Sequence, residues 1–316
     1  MSMHKRKTIV AALVTGAAVA ASAAPAQAAF EVGMADQSYE MFENSRYQRL
    51  GIDKVRFLVP YEWFKDDGNE NEVKSFMDRA EASGTDVLVH FTARRGCYAN
   101  GKYSKRKVCR APSVKTYKKN VKRFLREYPQ TKEIGAWNEG NHRSQPTANK
   151  PGLAARYFLA ARSACRSCKI VAADVLDSKN MESWLNGFDA KDKGKASIYG
   201  LHNYSDVNRQ QSSGTRRLLR RVSGEVWLTE TGGILKFLPT FPRSESRQKR
   251  STKYMFKLAN RYDTRRSGMR SRITRLYNYQ WTGARKSATF DAGLVGPTGS
   301  PRSAFKAFKS LEAKHD

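Results

Sequence analysis

The sequence predicts one α/β domain, a closed (β/α)8 barrel that occupies residues 29–316. Eight short apolar runs recur along the chain, and most are separated by segments whose apolar residues have helical spacing. Strands that are apolar on both faces are typical of parallel sheets covered by helices. Eight repeats favour a closed barrel over an open doubly wound sheet. No Gly-x-Gly-x-x-Gly motif follows the first run, so a dinucleotide-binding fold has little support.

Predicted strands and helices alternate through the whole domain. The second and third strands are the runs KVRFLVP and DVLVHFT, and the helix between them stops at Ser83 and Gly84. A long basic loop at residues 93–112 follows the third strand. The strands are predicted at residues 30–34, 54–60, 86–92, 133–137, 169–175, 197–204, 226–229 and 273–281. The helices are predicted at residues 39–50, 70–82, 114–128, 151–163, 181–188, 214–222, 247–264 and 303–313.

The first 28 residues have the features of a secretory signal peptide. Three basic residues at 5–7 precede an Ala-rich apolar run, and Ala26-Gln27-Ala28 is a small-x-small cleavage site. A membrane anchor is the alternative, but Thr and Gly interrupt the run and no basic cluster follows it. We therefore expect cleavage after Ala28 and a secreted protein, extracellular or associated with the cell wall.

The chain is strongly basic, with 58 Lys and Arg against 29 Asp and Glu and a formal net charge of +29. A charge of this size implies anionic surroundings, such as acidic glycans, cell-wall polymers, a membrane surface or nucleic acid. Compositional bias of the source genome could produce part of it. The basic residues are spread along the chain and no nucleic-acid-binding module is visible, which argues against nucleic acid as the partner.

Four cysteines predict two disulfides in an exported protein. We pair Cys97 with Cys109, which closes the basic loop, and Cys165 with Cys168. The loop-closure model gives the larger ring about 3 kcal/mol of stabilisation. A zinc site is the alternative, but the two pairs lie far apart in sequence and have no His nearby. A redox role for Cys165-Arg166-Ser167-Cys168 has less support, because the motif follows a helix instead of beginning one.

Two glutamates end apolar runs in the same manner. Glu139 follows Asn138 after the fourth predicted strand, and Glu230 follows the seventh. In a closed barrel the C-terminal ends of the strands surround the active site, and a pair of carboxylates there suggests cleavage of a glycosidic bond. Either glutamate alone could equally form a salt bridge at a strand end. The other strand ends add polar or aromatic side chains: Arg56, His90, His202, Tyr204 and Trp281.

In this order along the chain, these residues resemble clan A of the glycoside hydrolases, a superfamily of TIM barrels that includes cellulases. The resemblance runs through the whole domain and includes the tail at residues 293–297 and 301–308. It implies that Glu230 is the nucleophile and Glu139 the acid/base, with a pKa raised by burial. One residue departs from the family pattern: Gly140 stands where Pro usually follows the Asn-Glu pair.

The resemblance also implies roles for the neighbouring side chains. Arg56 would keep the nucleophile ionised, although it could equally anchor an internal salt bridge of the barrel. Tyr204 would orient the nucleophile by a hydrogen bond. His202 would adjoin the acid/base and tune its protonation. Asn138 would bind the sugar 2-hydroxyl, and Trp281 would offer a flat apolar face to the sugar, although it could instead cap the core.

Three further residues are weaker candidates for contact with substrate. His90 binds substrate in this interpretation or is a core histidine. The aromatic residues Trp63 and Tyr98 lie in loops after strands two and three, where they could stack on sugar rings. We expect neither a metal nor a cofactor.

The sequence therefore predicts a secreted retaining β-glycosidase or endo-glycanase whose partner is a carbohydrate. The alternative is a catalytically idle barrel that binds an anionic glycan or cell-wall polymer. Two basic loops on the expected catalytic face also suggest an anionic substrate: Arg94, Arg95, Lys102, Lys105, Arg106, Lys107 and Arg110 after strand three, and Arg243, Arg247, Lys249 and Arg250 after strand seven.

Overall fold

A computed structural model describes residues 30–94, 97–99, 102–104, 106 and 109–315. The predicted signal peptide, together with Arg95, Lys105 and Lys107, lies outside the described residues. The strands are β1 Glu31–Ala35, β2 Lys54–Pro60, β3 Asp86–Thr92, β4 Tyr98–Ala99, β5 Lys102–Tyr103, β6 Glu133–Gly135, β7 Lys169–Val171, β8 Ala173–Leu176, β9 Ile198–His202, β10 Gly224–Thr231, β11 Lys236–Phe237, β12 Ser271–Tyr279 and β13 Phe290–Asp291.

Helices cover the outside of the sheet. Several begin at residues that satisfy free backbone N–H groups; Asp66 accepts from the N–H of Asn69, and Ser113 from that of Thr116. The helices are α1 Ser45–Gln48, α2 Asp67–Ala82, α3 Val114–Glu127, α4 Pro151–Ala164, α5 Met181–Asp189, α6 Tyr204–Arg209, α7 Ser213–Arg221, α8 Glu245–Tyr262 and α9 Ser303–Glu312, with 3-10 turns at Tyr39–Glu43 and Trp63–Lys65.

The main sheet is a barrel of parallel strands. Its nine segments lie in the order β7, β6, β3, β2, β1, β12, β10, β9 and β8. The first and last segments in this order, β7 and β8, are consecutive pieces of one strand separated only by Ala172. The N–H of Ala172 donates to the carbonyl of Ile198 at 2.9 Å, which joins the two ends of the sheet. The predicted (β/α)8 architecture is confirmed.

The element boundaries differ from the prediction at three places that matter for the site. The fourth strand ends at Gly135 instead of residue 137, so Asn138 and Glu139 lie on the loop beyond it. The sixth strand ends at His202, and Tyr204 begins helix α6. The seventh strand continues through Glu230, with a change of pairing register between Trp227 and Glu230. The predicted first helix is a 3-10 turn followed by the single turn of α1.

Alternate residues along each strand face the helices or the barrel interior. On β2, Phe57 faces outward and stacks on Phe76 of α2 with ring centroids 3.9 Å apart. Arg56, its neighbour, faces inward. A smaller apolar cluster fills the middle of the barrel: Ala35, Leu88, Val171, Ile198, Trp227 and Tyr277.

The end of the barrel opposite the predicted site is closed by Arg275. Its guanidinium pairs with Glu31 and Glu133 and lies 3.9 Å from the Trp227 ring. Because both acids stand at the beginnings of their strands, this ion cluster ties the first and fourth strands to the eighth. The predicted site residues lie at the other, C-terminal end of the barrel.

Both predicted disulfides are present. The Cα atoms of Cys97 and Cys109 are 5.4 Å apart, as are those of Cys165 and Cys168. The first bridge lies in the loop that carries the short strands β4 and β5. In the part of the chain that the structure describes, none of the helices has both the length and the hydrophobicity needed to cross a membrane.

Thiol titration tests these bridges. We expect a thiol reagent to detect no free thiol in protein that was secreted into an oxidising compartment and unfolded without reductant, because all four cysteines are paired. After reduction, four thiols should react. Four reactive thiols before reduction would show that the loop after β3 is not held by a disulfide.

Candidate active site

Side chains from six strands converge at the C-terminal end of the barrel. The structure brings together both glutamates and five of the other predicted residues: Arg56, His90, Asn138, His202 and Tyr204. It also adds a residue that the sequence analysis did not single out, Asp174 of β8. The predicted residue Trp281 lies away from this cluster.

Arg56 is the centre of the cluster. Its side chain is fully buried, and its Nη1 donates to Glu230 Oε1 at 2.6 Å. Nη2 donates to Asn138 Oδ1 at 2.6 Å, and Nε donates to His90 Nδ1 at 2.9 Å. A planar guanidinium with five N–H donors can hold several partners in fixed directions. Arg56 thus orients the candidate nucleophile and the candidate 2-hydroxyl ligand at once.

Glu230 is almost fully buried, with 7% of its surface exposed. Besides the contact with Arg56, its Oε2 accepts a hydrogen bond from the Tyr204 hydroxyl at 3.2 Å. Both carboxylate oxygens are therefore held by donors on different elements, β2 and α6. A carboxylate fixed in this way is suited to attack an electrophilic carbon from one defined direction.

Glu139 stands in an unusual backbone conformation, with φ of 48°. Its N–H donates to Asp174 Oδ2 at 3.3 Å, and the N–H of Gly140 donates to the Asp174 carbonyl at 2.8 Å. A Cβ atom on Gly140 would lie 2.7 Å from the Trp184 ring. These contacts explain the departure from the family pattern, because Pro at this position would lose the N–H donor and collide with Trp184.

The two carboxylates face each other across His202. One ligand atom each from Glu139, His202 and Glu230 lie within 4.8 Å of one another. His202 Nδ1 is 3.2 Å from Glu139 Oε1 and 3.5 Å from Glu230 Oε2. The three could in principle hold a metal ion, but the guanidinium of Arg56 beside Glu230 repels a cation there. The arrangement instead fits two carboxylates that share one donor.

His202 is fully buried among acids. Its Nε2 lies 2.9 Å from Asp174 Oδ2, on the side opposite the two glutamates. Burial favours the neutral imidazole, but the negative charges of Asp174 and Glu230 outweigh it and raise the pKa of His202 to about 10. His202 is therefore an imidazolium at neutral pH, with a proton on each ring nitrogen.

The protonation of Glu139 differs from the prediction. Burial raises the pKa of this carboxyl, but the hydrogen bond and the positive charge of His202, with a further contribution from His142, bring it below its usual value. His142 Nδ1 lies 3.6 Å from Glu139 Oε2. The expected pKa elevation by burial is thus wrong for the free protein, and the acid form of Glu139 predominates only in acid solution.

His90 also differs from its predicted role as a substrate ligand. It is fully buried beneath Arg56, and Gly135 leaves room for it, since a Cβ there would lie 2.1 Å from the His90 ring. Burial lowers the pKa of His90 to about 3. The neutral ring accepts from Arg56 at Nδ1, so its proton is on Nε2, which points to Asp174 at 3.5 Å. His90 therefore supports Arg56 and has no surface for a sugar.

Residues 97–308 match the sequence family described as the glycosyl hydrolase catalytic core. The match spans more than half of the chain. The chain belongs to this family. Comparison with curated protein sequences returns no significant match. The resemblance to clan A glycoside hydrolases, which the strand ends predict, is confirmed by the family match and by solved structures of clan A barrels.

Solved glycoside hydrolases share the fold of this one at low sequence identity. A variant of GH5_18 from Streptomyces cattleya in complex with Manb1-4GlcNAc superposes with a TM-score of 0.62 at 14% identity, over 90% of this chain and 80% of that chain. Xylanase 10B from Thermotoga maritima superposes with a TM-score of 0.57 at 13% sequence identity, over 90% of this chain and 95% of the xylanase chain. A family 39 glycoside hydrolase from Bacteroides cellulosilyticus WH2 superposes with a TM-score of 0.56 at 15% sequence identity, over 90% of this chain and 63% of that chain.

The role of Trp281 in this glycoside hydrolase is corrected by its burial. The ring is 1% exposed and packs edge-on against Tyr47 and Phe305, so it belongs to the core and offers no face to a sugar. Trp63 is fully buried as well, and the side chain of Tyr98 lies outside the described residues. Tyr279, the last residue of β12, is half-buried beside Phe290, whose ring also packs against Tyr204.

Asp174 is the main residue of the candidate site that the sequence analysis missed. It contacts His202, Arg56 and the backbone of Glu139, and its Oδ1 accepts from the hydroxyl of Thr229. The charges of its cationic neighbours overcome burial and hold its pKa far below the usual range. A signal was available in the sequence, because an acid inside the apolar run at residues 169–175 has to be paired when it is buried.

Loss of Arg56 should destabilise the hydrolase strongly. Arg56→Met removes the guanidinium that pairs with the buried carboxylates of Glu230 and Asp174, which should lower the free energy of unfolding by about 3–5 kcal/mol. Urea denaturation followed by circular dichroism measures this. Arg243→Met is the matched control, because the 3.1 Å pair of Arg243 with Glu245 is exposed and should contribute at most about 1 kcal/mol. Equal effects of the two substitutions would contradict the central role of Arg56.

Proposed function

We propose that this glycoside hydrolase is a retaining β-glycosidase or endo-glycanase that works by two successive displacements. The observation that carries the proposal is the close approach of Glu139 and Glu230. One carboxylate oxygen of Glu139 lies within 4.8 Å of one of Glu230, and a ring nitrogen of His202 lies within the same distance of both oxygens. Retaining enzymes hold their carboxyl groups about 5–5.5 Å apart, whereas inverting enzymes need about 6.5–9.5 Å to admit a water molecule between them. The short separation supports retention of configuration.

In the first displacement, an oxygen of Glu230 bonds to the anomeric carbon as the glycosidic C–O bond breaks. The proton of Glu139 passes to the departing oxygen. In the second, water bonds to the anomeric carbon and gives a proton to Glu139, and the ester bond to Glu230 breaks. Arg56 and Tyr204 support this assignment, because they hold the Glu230 carboxylate in place through both oxygens.

The sugar at the cleavage point would rest against groups on two sides. The amide oxygen of Asn138 is turned to Arg56, so its NH2 group points away from the guanidinium and could donate to a sugar hydroxyl. We assign the stacking role first expected of Trp281 to Tyr279. The similarity to a xylanase and to an enzyme crystallised with Manb1-4GlcNAc supports a β-linked substrate.

We further propose that the enzyme is secreted and acts on an anionic glycan or cell-wall polymer. The predicted signal peptide and the two disulfides support export. Exposed Lys102, Arg106 and Arg110 in the loop after β3 would add positive potential at the mouth of the barrel. A cavity of about 420 Å³ beside the loops after β10 and β12 is also basic, since it is lined by Lys236, Arg243, Lys286 and Arg302 against a single acid, Asp291.

Substitution of each glutamate separates the two roles. Glu230→Gly should lose turnover by several orders of magnitude, because it removes the nucleophile. Azide should restore part of it by entering the vacated space and forming a glycosyl azide of inverted configuration. Glu139→Ala should still form the covalent intermediate with substrates whose leaving group needs no proton, and azide should then give the product of retained configuration. NMR of the products distinguishes the two anomers.

Two results would refute this assignment. One is an inverted product from the wild-type enzyme, which would place a water between the carboxylates. The other is normal turnover by Glu230→Gly. If no neutral or acidic glycan were cleaved by the wild type in a reducing-end release screen, the alternative of an idle barrel that binds anionic polymer would be favoured.

Salt dependence tests the nature of the substrate. Because exposed charges are screened over about 8 Å at physiological ionic strength, kcat/KM on an acidic glycan should fall several-fold as salt is raised. On a neutral glycan of the same linkage it should change little. Lys286→Gln should raise KM for the acidic glycan alone, since Lys286 is exposed at the edge of the basic cavity. Equal, salt-independent rates on both glycans would exclude a preference for anionic substrates.

A further inference from the structure

Asp174 is held in a single orientation from several sides. Its Oδ1 accepts from the Thr229 hydroxyl, while Oδ2 lies 2.9 Å from His202 Nε2 and 3.4 Å from Arg56 Nη2. Gly200 on the next strand makes space for the carboxylate, since a Cβ there would lie 2.1 Å from Asp174 Oδ1. The side chain is buried and lies behind the imidazole of His202 as seen from the two glutamates, so it cannot touch a substrate.

The Nδ1 edge of the His202 ring, opposite Asp174, contacts both glutamates. Nδ1 lies 3.2 Å from an oxygen of Glu139 and 3.5 Å from an oxygen of Glu230. With Asp174 on Nε2, the ring is in contact with three carboxyl groups. The titratable and charged groups that face it, from all the elements packed around it, are Arg56 of β2, His90 of β3, Glu139 after β6, Asp174 of β8, Asp177 after β8 and Glu230 of β10.

The charges of this group can be followed through the reaction. Before the first displacement Glu139 carries its proton, so the anions are Asp174 and Glu230 and the cations are Arg56 and an imidazolium at His202. In the covalent intermediate Glu230 is an ester and Glu139 has lost its proton. The group again contains two anions and two cations. A neutral His202 would leave one buried negative charge unbalanced in both states, which is costly in a low-dielectric interior.

We propose that Asp174 is a positioning residue that fixes His202 as a shared imidazolium, which balances the negative charge of Glu230 in the first displacement and that of Glu139 in the second. This inference rests on the two-glutamate mechanism proposed above. Asp174 was not among the strand-end residues to which the sequence assigned a role.

The protonation of His202 can be observed directly by NMR. The chain has only five histidines, so long-range 1H–15N spectra of histidine-labelled protein are simple, and the His202 signals can be assigned by their loss in His202→Gln. In the wild type both ring nitrogens should show the protonated form from about pH 5 to pH 9, below the His202 pKa of about 10. A neutral His202 in the wild type at about pH 7 would overturn the proposal, whether or not any variant folds.

Asp174→Asn keeps the shape of the side chain and removes its charge. The midpoint of the His202 titration should then fall by more than one pH unit. Asp177→Asn is the matched control, because Asp177 is a carboxylate three residues away that bonds to the N–H of Asp206 instead of the imidazole. It should leave the midpoint close to that of the wild type. An unchanged midpoint in Asp174→Asn, with a native thermal transition, would contradict the assignment.

The kinetic consequence is specific to the second displacement. With a dinitrophenyl glycoside the leaving group needs no proton, and turnover is limited by hydrolysis of the covalent intermediate, which requires ionised Glu139 and a charged His202. In Asp174→Asn the alkaline limb of the kcat profile should move to lower pH by at least one unit. Simple damage to the structure would lower kcat at all pH values without moving the limb.

The outcomes separate this inference from the proposed function. If the NMR midpoint falls but the kcat profile keeps its shape, the charge on His202 is not used in turnover; the shared-cation role is then wrong and the two-glutamate mechanism stands. If Glu230→Gly retains normal turnover, the mechanism itself fails, while the NMR result still shows whether Asp174 holds the imidazole protonated.

Discussion

The buried guanidinium of Arg56 is the interaction on which the catalytic end of this barrel depends. It is the only group that contacts Glu230, Asn138, His90 and Asp174 together in the part of the chain that the structure describes. A cation placed in the barrel interior has to be surrounded by acceptors, because its desolvation is otherwise prohibitive. The same acceptors include the candidate nucleophile, Glu230, and the candidate sugar ligand, Asn138, so one ion cluster serves both the stability and the geometry of the candidate site.

The cluster also explains the local backbone around the acid/base. The Asp174 carbonyl and carboxylate bind two successive N–H groups, those of Gly140 and Glu139. This holds Glu139 at a positive φ that a residue with a side chain seldom adopts. The tight approach of Trp184 then restricts the next position to Gly. The glycine that departs from the family pattern is therefore part of how this chain places Glu139, the candidate acid/base.

Protonation at the site is set by pairs of groups and cannot be assigned one residue at a time. Burial alone would raise the pKa of Glu139 and lower that of His202, and the outcome for each is the reverse. The reason is the excess of carboxyl groups around one imidazole, which makes its charged form the stable one. In the free protein the candidate acid/base, Glu139, therefore favours its ionised form, and the proposed first displacement proceeds from the less populated acid form.

The sequence alone was sufficient for the architecture, the disulfide pairs and the residues at the strand ends, because apolar periodicity and cysteine spacing are local properties. It also allowed Glu139 and Glu230, 91 positions apart, to be matched through the order of the strands. It could not decide whether a ring at a strand end is exposed or buried, so Trp281 and His90 received roles that their burial denies. Nor could it place Asp174 in the site: an acid inside an apolar run shows only that a partner is needed, and the partners lie on other strands. Those contacts, and the pKa values that follow from them, exist only once the barrel has closed, because electrostatic energies depend on distance and burial, which only the tertiary structure determines.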